Sequence, residues 1–435
     1  MLKIGDIKPH ICGGLSRGEG DHDAKVTRVW NRAQCPECRI DLGSNAISGY
    51  KSIPEQGDVE LKRDVTVAVY YFPNYHPDAR NAKQHGPGWT EWELLKRAEP
   101  RYPGHRQPRV PAWGYTDESD PAVMEMKINC AADHGVDVFI YDWYWYNDGP
   151  FLERGLESGF MKAPNSDRMR FSIMWANHDW INIHPAKLHT EPPLLYPGAV
   201  TPETFEVMTD HIVNHYFTHP SYWKIDGCPY FSVYELFRLV DGLGGLEATR
   251  EALARFREKT RAAGFRDLHL NGVTWGIQLL PGEQAVSNPA ELVAYLNFQS
   301  VTSYVWIHQI LLDQFPETPY TAVMEKAQGV WKKGQEEFPA PYHPNVTVGW
   351  DASPRTVQSD VYQNAGYPFM PALGGNDPEH FKAALESVRD FMQDRPESER
   401  IFSINAWNEW TEGSYLEPDT VHGNAYLEAI RDTFT

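Results

Sequence analysis

From about residue 65 to the end, short apolar runs alternate with longer stretches whose apolar positions recur every three or four residues. That alternation reads as strand followed by helix. Strands are predicted at 66–72, 136–142, 171–177, 230–234, 268–275, 301–306, 346–351 and 401–407. Segment 121–134 sets Met124, Ile128 and Ala131 on one stripe, with Asp120 as N-cap and Gly135 as the stop. Segment 203–217 does the same with Phe205, Met208, Ile212 and Tyr216. So do 247–263, with Leu253 and Phe256, and 380–392, with Phe381, Leu385, Val388 and Phe391. Further helices are expected near 318–333 and 424–432.

Eight strands separated by helices predict an α/β fold, a (β/α)8 TIM barrel, with a doubly wound sheet as the alternative. The strand ends favour the barrel. Tyr71, Asp142, Asn177, Tyr234, Trp275, Trp306, Asp351 and Glu409 all stand where a barrel enzyme gathers its chemistry. The first strand runs into YYFPNYHP, without the glycine fingerprint of a dinucleotide fold.

Residues 1–62 break the pattern and form an irregular N-terminal extension to a catalytic domain at 63–435. AQCPECR at 33–39 holds a Cys-x2-Cys knuckle, half of a structural zinc site. Cys35 and Cys38, with Cys12 and either His10 or His22, make a candidate zinc set, the other reading being two reduced cysteines in a turn. No cofactor is expected for catalysis. The five cysteines are too uneven for a disulfide framework.

Composition narrows the partners. The 435 residues carry a formal charge of −19, which excludes nucleic-acid backbone and anionic membrane as expected partners. The aromatic load, 13% of residues, suits flat platforms for sugar rings as well as core filling. No apolar run is long enough for a transmembrane helix, and the first residues lack a signal-peptide core. Face value is cytoplasmic, or periplasmic or secreted if the sequence is a trimmed piece. Oligomeric state is left open.

The stretch 401–419, IFSINAWNEWTEGSYLEPD, opens as a strand and turns polar. Asn408, Glu409, Trp410, Glu412, Tyr415 and Glu417 follow one another as a carbohydrate site would need, or as an unusually aromatic loop. Glycosidic cleavage uses two carboxylates. The candidates near strand ends are Asp142, Asp179, Asp351, Glu409, Glu412 and Glu417. Glu409 and Glu412, three residues apart, could face one pocket and split their pKa values by mutual repulsion. A salt bridge or a turn cap is the plainer reading of either.

The segments 405–419, 70–78, 86–93, 174–180 and 349–355 together resemble the glycoside hydrolase family 99-like proteins, many of them described as lipopolysaccharide or O-antigen glycosyltransferases. The resemblance runs from about residue 65 to 430 and implies a (β/α)8 barrel acting on an oligosaccharide or polysaccharide. Its retaining endo-α-mannosidases carry Asn-Glu-Trp-x-Glu-Gly, here Asn408 to Gly413. It implies that Glu409 assists the sugar's own 2-hydroxyl as nucleophile through a 1,2-anhydro intermediate. Glu412 is then general acid and afterwards general base. Sugar contacts are implied for Tyr71, His76, Glu91 and Trp92, and for Asn177, His178, Asp179 and Trp180 on the third strand. Asp142, Asn408, Trp410 and Tyr415 complete the expected substrate set. Asp351 joins it, although with Arg355 it also reads as an arginine pinned to an aspartate at a loop root. Trp275 and Trp306 are equally well barrel core. The SYLEP turn departs from the mannosidases and leaves the substrate open.

Three functions compete. The leading one is a retaining glycoside hydrolase. The others are a glycosyltransferase of surface polysaccharide synthesis and a non-catalytic carbohydrate-binding barrel.

Overall fold

A computed structural model describes residues 64–435. The expected boundary at 62 and the cysteines Cys12, Cys35 and Cys38 lie outside the described residues.

Parallel strands close into a ring: β1 (Thr66–Tyr71), β2 (Val138–Tyr146), β3 (Arg170–Trp175), β4 (Cys228–Val233), β5 (His269–Val273), β6 (Ser300–Thr302), β7 and β8 (Ile401–Asn405). β7 is in two pieces, Tyr342–His343 against β6 and Asn345–Thr347 against β8. Between them stands Pro344, which has no N–H to give a ladder and whose carbonyl accepts from Ser403 N at 2.9 Å. The ring closes as β1 pairs with both β2 and β8. This is the expected barrel, and no helix among the described residues is long and apolar enough to cross a membrane.

The strands are buried on both faces, as parallel strands covered by helices must be. All nine residues of β2 are buried. Outside the ring run α1 (Pro121–Asp133), α2 (Pro202–His211), α3 (Leu246–Ala262), α4 (Pro289–Tyr295), α5 (Tyr320–Glu337), α6 (Pro378–Met392) and α7 (Ala425–Phe434). Three of them begin alike. Asp120, Thr201 and Asp377 accept hydrogen bonds from the first-turn amides, and a proline follows each cap where its missing N–H costs nothing. The predicted stripes face inward, with Met124, Ile128, Phe205, Met208, Phe256, Phe381, Leu385 and Val388 all buried. In α6, Met392 takes the buried place expected of Phe391, which is only half-buried and packs on Trp331.

Two departures from the predicted elements matter for the site. β2 does not stop at Asp142 but continues to Tyr146 and folds back as a hairpin on Gly149–Phe151. The cause is local: alternating aromatic residues favour a strand, and the Asn147–Asp148 pair before Gly149, at φ 110°, turns the chain. The β2–β3 connection then lacks an α-helix. A π-helical turn (Gly155–Gly159) and two 3-10 turns replace it. Gly159 is required there, because a Cβ would stand 2.2 Å from the Glu118 carbonyl oxygen.

Leu385 is fully buried on α6 within the core. Leu385→Ala should lower the unfolding free energy by about 2–5 kcal/mol, read from urea denaturation. A loss below about 1 kcal/mol would mean that this stripe does not carry the packing assigned to it.

Candidate active site

The strands' C-terminal ends open into a cleft of about 670 Å³, solvent at its mouth included. Its walls come from successive strand ends, as in other barrels. β2 supplies Asp142 and Tyr144, the loop after β3 supplies His178, Asp179 and Trp180, and Tyr234 follows β4. Tyr304 and His308 follow β6, Trp350 and Arg355 follow β7, and Glu409 and Glu412 follow β8. Along β2 the alternation of a strand separates two jobs. Asp142 and Tyr144 line the cleft, while Trp143 donates from Nε1 to the Tyr216 hydroxyl at 3.0 Å, outside the ring.

Arg355 is the cation of this cleft. Its Nε donates to Glu91 Oε1 at 2.8 Å and to Thr411 Oγ1 at 3.0 Å. One terminal nitrogen donates to Glu412 Oε1 and, at 2.5 Å, to the Tyr367 hydroxyl, while the other lies 3.8 Å from Glu409 Oε1. Burial opposes the guanidinium's charge, but Glu412, Glu91, Tyr367 and Glu409 overcome it and push its pKa well up. Glu91 is fully buried, which alone would raise its carboxyl. Arg355, with a hydrogen bond from Thr411, outweighs that and holds it below the usual value. Tyr367 donates to Glu412 Oε1 at 2.6 Å, so Glu412 is fixed from two sides.

Glu409 is treated differently. Burial, then the adjacent Glu412, and further Asp142, push its carboxyl well above the ordinary range, with Arg355 opposing. Tyr304 donates to Glu409 Oε2 at 3.0 Å and also lies 2.8 Å from Asp142 Oδ2, joining the two acids through one hydroxyl. Asp142 is likewise raised, chiefly by burial. The cleft therefore pushes Glu409 and Asp142 toward their protonated forms, while Glu412 forms the ion pair with Arg355. Burial also lowers His308 and His184, each to about 3, so both imidazoles are neutral at physiological pH.

The expected site residues separate into two groups. Asp142, His178, Asp179, Trp180, Glu409 and Glu412 line the cleft. Asp179 is held by Arg238 at 2.7 Å and by the Gly198 amide at 2.8 Å. Trp180 stacks on His184, with ring centroids 5.5 Å apart.

The second group supports the rim from behind. Asn177 exchanges two 2.7 Å hydrogen bonds with the backbone of Glu235, and Asn408 two at 2.8 Å with the backbone of Phe72. Both amides are consumed in tying neighbouring strand ends together. Trp410 stacks on Tyr415 at 3.7 Å, and their polar atoms bond to Glu417 and Asp419. Tyr71 accepts from Lys127, His76 pairs with Glu118, and Trp92 donates to the Thr116 carbonyl. None of these lines the cleft, and Glu91 meets its wall through Arg355 and, at 3.9 Å, through His184. Asp351 and Arg355 are not a pinned pair. Asp351 accepts from His105 at 2.8 Å and Gln107 at 2.7 Å, facing away from the cleft. Trp306 is buried with its indole on the Asn345 carbonyl, so its core reading holds.

Sequence reasoning missed Tyr304 and Tyr367, the two hydroxyls that orient the glutamates. Tyr304 stands two residues past β6, and that position at a strand end is the signal that could have exposed it. Tyr367 lies in an irregular loop and offers none.

The electrostatics make a prediction about stability. Below the ordinary glutamate value of about 4.3, Glu409 is protonated in both the folded and unfolded chain. As pH rises past that value the unfolded chain ionises while the folded one keeps its proton. The residue's stabilisation therefore falls with pH up to its raised folded value. Glu409→Gln should raise the melting temperature relative to wild type at pH 8, and the gap should shrink toward pH 5. A gap that widens on acidification would reverse the sign assigned to Glu409.

A family model described as Glycosyltransferase WbsX matches residues 67–430. The chain is 26% identical over 373 residues to the uncharacterized protein WxcX of Xanthomonas campestris pv. campestris strain B100, and 27% identical to its counterpart in strain ATCC 33913. Each alignment takes in 85% of this chain but 50% of the relative, so the chain spans about half the length of the curated relatives it matches. Among solved structures it is similar to the GH99 endo-alpha-mannosidase from Bacteroides thetaiotaomicron in complex with BIS-TRIS-propane, with a TM-score of 0.51, 13% identity, and coverage of 85% of this chain and 96% of that one. A glycoside hydrolase-like protein gives 0.52, 13%, 88% and 98%. At that identity the likeness is one of fold. With the model spanning the whole barrel, the chain belongs to the Glycosyltransferase WbsX family.

Proposed function

We propose that this carbohydrate-active enzyme breaks a glycosidic bond in a surface polysaccharide or related glycan, using Glu409 and Glu412. The observation behind the reading is the pair itself: two glutamates on one cleft, Glu409 pushed toward its protonated form and Glu412 ion-paired to Arg355. An acid and a base in one site is what this chemistry needs.

In the proposed reaction Glu409 removes the proton of the sugar's 2-hydroxyl as O2 attacks C1, and Glu412 protonates the departing oxygen. Water then opens the anhydro sugar at C1. Glu412 takes the water's proton and Glu409 returns one to O2. The free site carries the shared proton on Glu409, so bound substrate must move it to Glu412 before cleavage.

The family description favours a second reading, transfer of a sugar to a growing surface polysaccharide, and on the comparisons alone it is the better supported. The first half-reaction can be the same, and in the second a sugar hydroxyl attacks C1 in place of water. A nucleotide-sugar donor would need cations for its diphosphate. Arg355 is the one Arg or Lys among the described residues lining the cleft, and its donors face carboxylates and hydroxyls.

Both readings are tested on a panel of bacterial polysaccharides incubated with wild type and Glu412→Gln, with and without labelled oligosaccharide acceptor. Reducing ends released by wild type, and reduced by about 10²- to 10⁴-fold in the variant, support cleavage by this pair. Equal release by the variant would remove Glu412 from the mechanism. Elongated acceptor without released reducing ends, or calorimetric binding of nucleotide sugars, would establish transfer instead.

A further inference from the structure

Outside the barrel, behind β2, stands a cluster that the proposed chemistry does not use. Glu157 lies in the π-helical turn Gly155–Gly159. His211 and His215 sit one turn apart where α2 passes into a second π-helical turn, Ile212–Phe217. One carboxylate oxygen and two ring nitrogens of these residues lie within 4.8 Å of one another. Glu157 Oε1 is 3.7 Å from His211 Nε2 and 3.5 Å from His215 Nε2.

We propose that Glu157, His211 and His215 form a site for a borderline divalent cation such as Zn²⁺. Zinc binds imidazole nitrogen and carboxylate oxygen at 2.0–2.2 Å, which at tetrahedral angles sets ligand atoms about 3.3–3.6 Å apart. The two carboxylate–imidazole spacings already fall close to that edge. Histidines four apart on one helical face are a familiar metal-binding spacing.

The supporting contacts also fit. The Tyr216 hydroxyl donates to Glu157 Oε1 at 2.6 Å and in turn accepts from Trp143 Nε1 at 3.0 Å. A ligand carboxylate oriented by a hydrogen-bonded outer partner is the arrangement metal sites use. His211 packs its ring against Trp145, with centroids 5.2 Å apart. All three side chains are partly exposed, at 28%, 33% and 43%, so an ion has access. Three protein ligands leave a fourth position for water.

The placement gives the site a role. Trp143 and Trp145 are outward-facing residues of β2, whose inward-facing neighbours Asp142 and Tyr144 line the cleft. A bound ion would tie the helix-less β2–β3 connection to α2 and brace this strand from behind. Without metal, the same residues are an acid shared between two imidazoles, and the experiment separates the two.

Metal-stripped full-length protein is titrated with ZnCl2 by calorimetry, and its melting temperature is followed in parallel. Wild type, His211→Gln, His215→Gln and the double variant Cys35→Ser/Cys38→Ser are compared, the last because the cysteine knuckle could bind zinc on its own. The proposal expects both histidine variants to take up one equivalent less than wild type and to lose the accompanying zinc-dependent rise in melting temperature, and the cysteine variant to keep one equivalent with that rise. Zinc uptake and thermal shift unchanged by both histidine substitutions would overturn it. So would uptake that disappears entirely in the cysteine variant. Metal-free melting temperatures close to wild type establish that the histidine variants are folded, and His215, the more exposed, remains usable should His211→Gln prove unstable.

Discussion

A guanidinium shut away from water is stable only when its charge is met on several sides. Arg355 is met by Glu91 from the loop after β1 and by Glu412 and Thr411 from the loop after β8, with Tyr367 on its own loop. Three parts of the barrel rim are thereby locked to one cation. The lock also positions the chemistry. Glu412 cannot turn from the cleft without stranding a buried charge, and Glu409, 3.8 Å from the remaining nitrogen, receives too little of it to offset burial. One arginine thus divides two glutamates that the sequence presents as near equivalents.

The fold was legible because its signals are local and periodic. The stripe of α1, its aspartate cap and the glycine after it can be read without neighbours, and so can the strand runs. The cleft was legible where a residue stands at a strand end and carries a group suited to sugars, as Asp142, Asp179 and Glu412 do. Asn177 and Asn408 show the limit. An amide side chain carries both a donor and an acceptor, so it imitates a peptide group as readily as it grips a hydroxyl. Only their pairing with Glu235 and Phe72 decides between the two. Trp410 and Tyr415 were misleading for a similar reason, since a stacking platform for sugar and a stacked buried pair have the same composition. The pairing of Arg355 with Glu91, 264 positions away in the chain, leaves no trace in local spacing.

Family membership and cleft chemistry point in somewhat different directions, and the site accommodates both. A carboxylate pair that opens a glycosidic bond can pass the sugar to water or to another hydroxyl. Under the proposed chemistry, the choice of acceptor would rest on what the cleft admits beside His178, Trp180 and Tyr234 rather than on the glutamates. The WxcX proteins extend well beyond the matched region.

The proposed chemistry turns on whether the free site keeps a proton on Glu409 while Glu412 serves Arg355. The direct measurement is carbon-13 NMR of glutamate δ-carboxyls at neutral pH, comparing wild type with Glu409→Gln. The account predicts that one protonated-carboxyl resonance of the wild type is missing from the variant. A variant spectrum that keeps every protonated resonance and loses only an ionised one would contradict it.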